Sequence, residues 1–210
     1  MKLIGMLDSP YVRRVALTLK RLDIPFEHEA LSVFRTFEQF QRINPVVKAP
    51  TLICDDDTVL MDSCLIIDYL EALVGRSLLP AAPQARAHDL RLIGLALAAC
   101  EKSVQIYYEY QLRPAEKQHE PWLERVRGQL AAAYGELENE LEKRPLATDG
   151  GVDQAGISLA VAWSFTQLVV AEHLDAMRFP RVKAFAEYAE GLELCKRLAK
   201  SSTQPAGQER

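Results

Sequence analysis

The chain has 210 residues, 49% of them apolar and 26% charged, with a net charge of −4. That length and apolar content suit one or two globular domains with a sizeable core. The acidic balance leaves no footprint for nucleic acid, no basic run suggests a membrane surface, and no window of 18 apolar residues suggests a membrane span. A targeting signal is not expected, because Met1 to Leu7 reads as a strand rather than as a basic region followed by an apolar one. The four cysteines, Cys54, Cys64, Cys100 and Cys195, lack Cys-x-x-Cys spacing. Neither zinc nor a disulfide framework is expected, and a reducing cytoplasm fits.

In chain order, Lys2–Leu7 reads as a strand, and Val12–Leu22 places Val12, Val15, Ala16, Leu19 and Leu22 at helical spacing. Between them stands Asp8-Ser9-Pro10. Ser9 fits an N-cap and Pro10 the first helical position, where its missing N–H costs nothing. The same hydroxyl, beside the open N–H groups of a helix start, could hold an anion such as a thiolate. This stretch alone leaves both readings open. Phe26–Leu31 is short enough for a strand, and residues 34–44 read as a brief helix closed by Asn44-Pro45. Ala49–Cys54 and Thr58–Met61 look like two strands around the acidic turn Asp55-Asp56-Asp57. The next helix begins at Asp62-Ser63, carries Leu65, Ile66, Tyr69, Leu70 and Leu73 on one face, and stops at Gly75. The order is β-α-β-α-β-β-α.

The Pro-rich stretch GRSLLPAAPQ follows, and beyond it every signal is helical. Residues 84–113 hold no proline, and Leu90, Ile93, Leu97, Cys100, Val104, Tyr107 and Tyr108 recur every three or four positions. A continuous helix there would be about 45 Å long. Pro121 opens another, with Trp122, Val126, Leu130, Ala133, Leu137 and Leu141 on one face, and Pro145 ends it. Ser158–Ala171 is apolar almost all round, the pattern of a centrally buried helix. Shorter helical pieces run from Phe179-Pro180 to about Lys200, and residues 201–210 are expected to be disordered. The expected layout is an α/β domain over 1–76, a linker over 77–83 and an all-helical domain over 84–200.

Three motifs stand in register along this layout: SPYVRRV after the first strand, INPVVKAPTL leading into the third, and MDSCLIIDYLE opening the third helix. In order and spacing, over nearly the whole chain, the sequence resembles the cytosolic glutathione S-transferases, in particular bacterial members that use a serine. The resemblance implies a thioredoxin-like α/β N-terminal domain, an all-α C-terminal domain, glutathione as co-substrate, no metal, and a cis peptide before Pro50. That bond would turn the backbone N–H and C=O of Ala49 toward the cysteinyl part of glutathione. Asp62 would accept from the γ-glutamyl ammonium, and Ser63 with the N–H groups of the helix start would hold its carboxylate, which the positive helix end favours. Lys48 matches a position that reaches the glycyl carboxylate in some classes; a solvated lysine fits equally well. Cys64 departs from the pattern, standing where several classes carry arginine, and that departure bears on affinity and class.

Ser9 is then the catalytic candidate. A free thiol with pKa ~8.5 is only about 3% thiolate at pH 7, and lowering that pKa by ~2 units takes about 2.7 kcal/mol. One charge-assisted hydrogen bond supplies roughly 1.5–3 kcal/mol and a helix N-terminus ~0.3–1 more, so a lone hydroxyl is sufficient in magnitude. Arg13 and Arg14 are the rival source of thiolate stabilisation, read here as solvated or at a domain contact. Tyr11, Tyr107 and Tyr108 are candidates for a hydrophobic electrophile site expected between the domains. Tyr110, Trp122 and Trp163 are further candidates, although aromatics at helical spacing are more often core. The histidines, His28, His88, His119 and His173, suggest no catalysis. Cys54 should be buried and inert. Cys64, in a first helical turn, could form a mixed disulfide with glutathione. The family opens its central C-terminal helix with Ser/Thr-x-x-Asp. In Ser158-Leu159-Ala160-Val161 the acidic place is taken by Val161, and Ser158 is the expected cap.

The sequence reading is thus a cytoplasmic, homodimeric glutathione S-transferase of detoxification type, conjugating glutathione to a small electrophile, with no nucleic-acid or membrane partner. The alternatives are a glutathione-dependent isomerase, dehalogenase or peroxidase, or a non-enzymatic interaction protein on the same fold.

Overall fold

The computed structural model describes residues 1–149 and 151–202. Most of the tail expected to be disordered therefore lies outside the described residues. The chain divides into two compact units, residues 1–78 with the segment from Gly191 on, and residues 79–190.

The first unit holds β1 (Lys2–Ile4), α1 (Pro10–Arg21), β2 (Glu27–Glu29), α2 (Phe37–Ile43), β3 (Thr51–Ile53), β4 (Val59–Leu60) and α3 (Ser63–Val74). The strands form one sheet in the order β2-β1-β3-β4, with β1 and β2 parallel and the other pairs antiparallel. This is the mixed, thioredoxin-like sheet that the resemblance implies. The strands are shorter than the apolar runs suggest. β1 ends at Ile4 because Gly5 takes φ +135°, and a Cβ there would lie 2.6 Å from Val12 Cγ2 and 3.2 Å from Ala49 Cβ. Only glycine suits both that backbone and that close approach.

Register decides where the loops emerge. Ile4 faces Thr51 across β1 and β3, and Leu52 faces Leu60 across β3 and β4. The C-terminal end of β1, the N-terminal end of β3 and the C-terminal end of β4 therefore lie at the same end of the sheet. Residues 5–9, 48–50 and 61–62 all leave from it. His28 reinforces this end by donating from Nε2 to the Gly5 carbonyl at 2.8 Å.

The last helix, α8 (Glu193–Ser202), packs on α1 within this first unit and buries Cys195 and Leu198. The sequence places that segment in the helical domain; here it packs on α1, which also packs on α3.

The second unit is helical: α4 (Pro83–Leu112), α5 (Glu120–Lys143), α6 (Gln154–Val169) and α7 (Pro180–Gly191). α4 packs along both α5 and α6. Its core holds a chain of buried hydroxyls, Ser103 Oγ to Thr166 Oγ1 at 2.8 Å and Tyr134 OH to Thr166 Oγ1 at 2.7 Å. Burial pushes the Tyr134 phenol far up. Trp163 stands edge-on to Tyr134, 5.2 Å between centroids, and is 6% exposed, so it is a core residue.

The expected start of the central helix is corrected. α6 begins at Gln154, four residues before Ser158, with Asp153 as its N-cap accepting from Gly156 N at 2.7 Å. Ser158 is interior and donates back to the Gln154 carbonyl at 2.7 Å. The carboxylate sits at the cap itself, so no acidic residue is needed at Val161. Gly156 is required by space: a Cβ would meet Phe185 Cζ at 2.9 Å and Asp153 Oδ1 at 3.3 Å.

Candidate functional site

The shared end of the sheet gathers the N-terminus of α1, the loop before β3 and the N-terminus of α3. Ser9 caps α1, and its Oγ accepts from Val12 N at 3.5 Å, the outer limit of a hydrogen bond. Its backbone N–H goes to Met6 O. The hydroxyl hydrogen has no acceptor among the described residues, so capping leaves Ser9 able to donate outward. Tyr11 follows on the first turn, half-buried.

Asp62 caps α3, Oδ1 accepting from Cys64 N at 2.9 Å, and stays exposed. Ser63 is only 2% exposed. The residue that fixes it is one the sequence reads as solvated or at a domain contact: Arg14 is itself 2% exposed, and its Nη1 donates to Ser63 Oγ at 3.0 Å and to Cys64 Sγ at 3.2 Å. α1 is covered by the sheet, α3 and α8, so a position off its main apolar face is still interior. Because Ser63 Oγ accepts from a guanidinium, its own hydrogen is left for another acceptor. Cys64 is exposed beside that cation, which reaches from α1 to the place where several classes carry arginine on α3. Cys54, by contrast, is buried, and burial pushes its thiol up despite a hydrogen bond with Tyr69.

The peptide between Ala49 and Pro50 is cis. Lys48 is exposed and makes no ion pair among the described residues. Asn44, which the sequence marked only as a helix stop, is 5% exposed and bonded to Thr51, to Met61 and to the backbone of Val46.

The aromatic candidates separate. Tyr108 lines a cleft of about 530 Å³ within the second unit, with Leu112 and Trp122 as its other large apolar walls and Arg113 and Lys117 at its polar side. Tyr107 is not among its lining residues. Tyr110 stacks on His173 at 5.0 Å, and Trp163 is core. No group of three metal-ligating side chains occurs among the described residues, and no helix there is long and apolar enough to cross a membrane.

The model of the glutathione S-transferase N-terminal domain matches residues 3–77, the stretch that carries all these groups except the aromatics of α4 to α6. The GST-like protein YibF of Escherichia coli K12, itself uncharacterized, is 30% identical over 163 residues, 77% of this chain and 80% of its own. The chain belongs to the glutathione S-transferase family. Among solved structures, a glutathione transferase family member from Pseudomonas fluorescens Pf-5 with bound glutathione is 29% identical, covers 93% of this chain and 97% of its own, and superposes with a TM-score of 0.79. A glutathione S-transferase from Methylobacterium radiotolerans in complex with glutathione sulfonate, 23% identical, shares the fold with a TM-score of 0.85 over 100% of this chain and 98% of that one.

Proposed function

We propose that this transferase-family chain binds glutathione at the end of the sheet where α1 and α3 begin, and conjugates it to a small hydrophobic electrophile. The observation that carries the reading is the set of open polar groups held there by closed ones. Ser9 keeps its hydroxyl hydrogen while capping α1, and Ser63 keeps its own because Arg14 supplies the bond to its oxygen. Asp62 binds Cys64 N through one oxygen and is exposed.

In this reading Ser9 Oγ donates to the glutathione sulfur and favours the thiolate, the thiol proton passing to solvent; Ser9 forms no covalent bond. The thiolate then attacks the electrophile and the leaving group departs. Asp62 takes the γ-glutamyl ammonium, Ser63 its carboxylate, Ala49 pairs its backbone with the cysteinyl part beside Pro50, and Lys48 meets the glycyl carboxylate. Tyr11, Tyr107 and Tyr108 are the candidates for electrophile binding, and of these Tyr108 lines the cleft of the second unit. The same reading makes the chain cytoplasmic, as the family resemblance implies, and a homodimer, in which a second copy would cover exposed apolar side chains such as Leu65 and Leu73 on α3 and Leu90 on α4. Isothermal titration of glutathione into the protein tests the binding step. Saturable binding at or below millimolar concentration is expected; its absence would leave Ser9, Asp62 and Ser63 as helix caps only.

A further inference from the structure

We propose that Asn44 is the positioning residue of this site, setting through one buried side-chain amide both the Ala49 peptide and the approach to Asp62-Ser63. The inference rests on the glutathione reading above and adds to it a residue that would touch no part of the ligand.

Every polar group of Asn44 is used. Its Oδ1 accepts from Val46 N at 3.0 Å, and Nδ2 donates to Thr51 Oγ1 at 2.9 Å and to Met61 Sδ at 3.3 Å. Its backbone N–H closes α2 on Phe40 O, and its carbonyl accepts from Val47 N at 2.9 Å. The side chain cannot be turned over. A flipped amide would aim its oxygen at Thr51 Oγ1, whose single hydrogen is already given to the Lys48 carbonyl at 2.7 Å.

The bonds therefore run in one direction, from the Asn44 amide to the Thr51 hydroxyl to the Lys48 carbonyl. In a planar trans peptide the C=O and the following N–H point in opposite directions. The Lys48–Ala49 peptide is not one of the cis bonds of this chain. Drawing the Lys48 carbonyl inward to a threonine that is 0% exposed thus turns the Ala49 N–H outward. Among the described residues nothing accepts that N–H, which is unusual for a half-buried backbone donor and fits one reserved for a ligand.

The second arm reaches Met61, the residue after β4 and directly before the Asp62 cap. One amide thus ties the loop that presents Ala49 to the turn that presents Asp62 and Ser63. A preorganised donor lowers the cost of binding, so loosening either arm should weaken the ligand more than the fold.

The test uses Thr51→Val, which keeps shape and removes the hydroxyl, Thr51→Ser, which restores it, and Asn44→Asp, which keeps the acceptor and removes both donors. Glutathione is titrated into each full-length protein, and exchange of the Ala49 amide hydrogen is followed with and without glutathione. Thr51→Val and Asn44→Asp are expected to bind about tenfold more weakly, the scale of one lost hydrogen bond. Thr51→Ser should bind within about twofold of wild type, and glutathione should slow Ala49 exchange only in wild type and Thr51→Ser. If wild type binds and Thr51→Val binds equally well with Ala49 equally protected, the positioning role is overturned while the glutathione reading stands. If wild type itself does not bind, both fall. Should Asn44→Asp fail to fold, the threonine pair decides alone.

Discussion

Asp62 and Asp153 are both N-caps, each accepting a backbone N–H through one carboxylate oxygen, at 2.9 Å and 2.7 Å. Their surroundings differ. Asp153 sits against Gly156 at a position where even a Cβ would strike Phe185, and the helix it starts runs through the core of the second unit. Asp62 is exposed at the sheet end, beside a serine whose oxygen is occupied by Arg14. The hydroxyls repeat the contrast. Ser103, Thr166 and Tyr134 bond to one another in the interior of the helical unit, whereas Ser9 and Ser63 each accept a bond and keep a hydrogen to give at the sheet end. Polar groups that bond to one another in an interior hold a fold together; half-used ones at a shared strand end are equipped to take a ligand.

The contrast can be broken from the structural side. Tyr134 is fully buried and edge-on to Trp163, so Tyr134→Ala should destabilise by about 3–5 kcal/mol. Thermal or denaturant unfolding reads this. Glutathione affinity of the protein that remains folded should not change, because the hydroxyl chain belongs to the second unit and the proposed site to the first.

The paired caps sharpen it. Replacing either aspartate by alanine removes one capping bond, about 0.5–2 kcal/mol of stability. Asp62→Ala should in addition weaken glutathione binding by about tenfold or more, the loss of a charge-assisted bond. Asp153→Ala should leave affinity alone. Equal affinity in the two variants would show Asp62 to be a cap like the other.

A smaller effect comes from Asp89 on α4, which is 4% exposed. Burial, and then the nearby Asp153 charge, hold its carboxyl above the usual range, against the opposing pull of Arg144 and His88. A folded-state pKa above the unfolded one means that ionisation opposes folding. The stability this group contributes is present below the ordinary carboxylate pKa of about 3.9 and is lost as pH rises through the raised value. Asp89→Asn should therefore raise the melting temperature at neutral pH by a small amount, with the gain vanishing toward acid. A gain that persists unchanged into acid would assign it to packing instead.

Much of the fold was legible because its signals are local. Pro10, Pro121 and Gly75 stand where helices begin or end, and the order of short strand-like segments and helical spacings reads directly as a βαβ start followed by two short strands, although β2 itself is the polar Glu27-His28-Glu29. What escaped depends on tertiary context. The start of α6 was misplaced because an apolar helix has no face to mark its phase, and Ser158 looked more like a family cap than Asp153 did. Arg13 and Arg14 are adjacent and alike in sequence; only the covering of α1 on several sides makes Arg14 interior. Asn44 carried a visible signal, Asn-Pro at a helix end, but its bonds to Thr51 and Met61 join positions 7 and 17 residues away. The grouping of α8 with the first unit has no local signature at all.

The claim at the centre is that Ser9 donates to the glutathione sulfur. Thiolate absorbance of bound glutathione, followed against pH in wild type and in Ser9→Ala, tests it most directly. If Ser9 donates to the sulfur, the half-point in wild type lies ~1–2 units below the free thiol value of about 8.5 and returns upward by at least ~1 unit in Ser9→Ala. A bound thiol that titrates as free glutathione does, or a lowered half-point that survives the loss of the Ser9 hydroxyl, would contradict it.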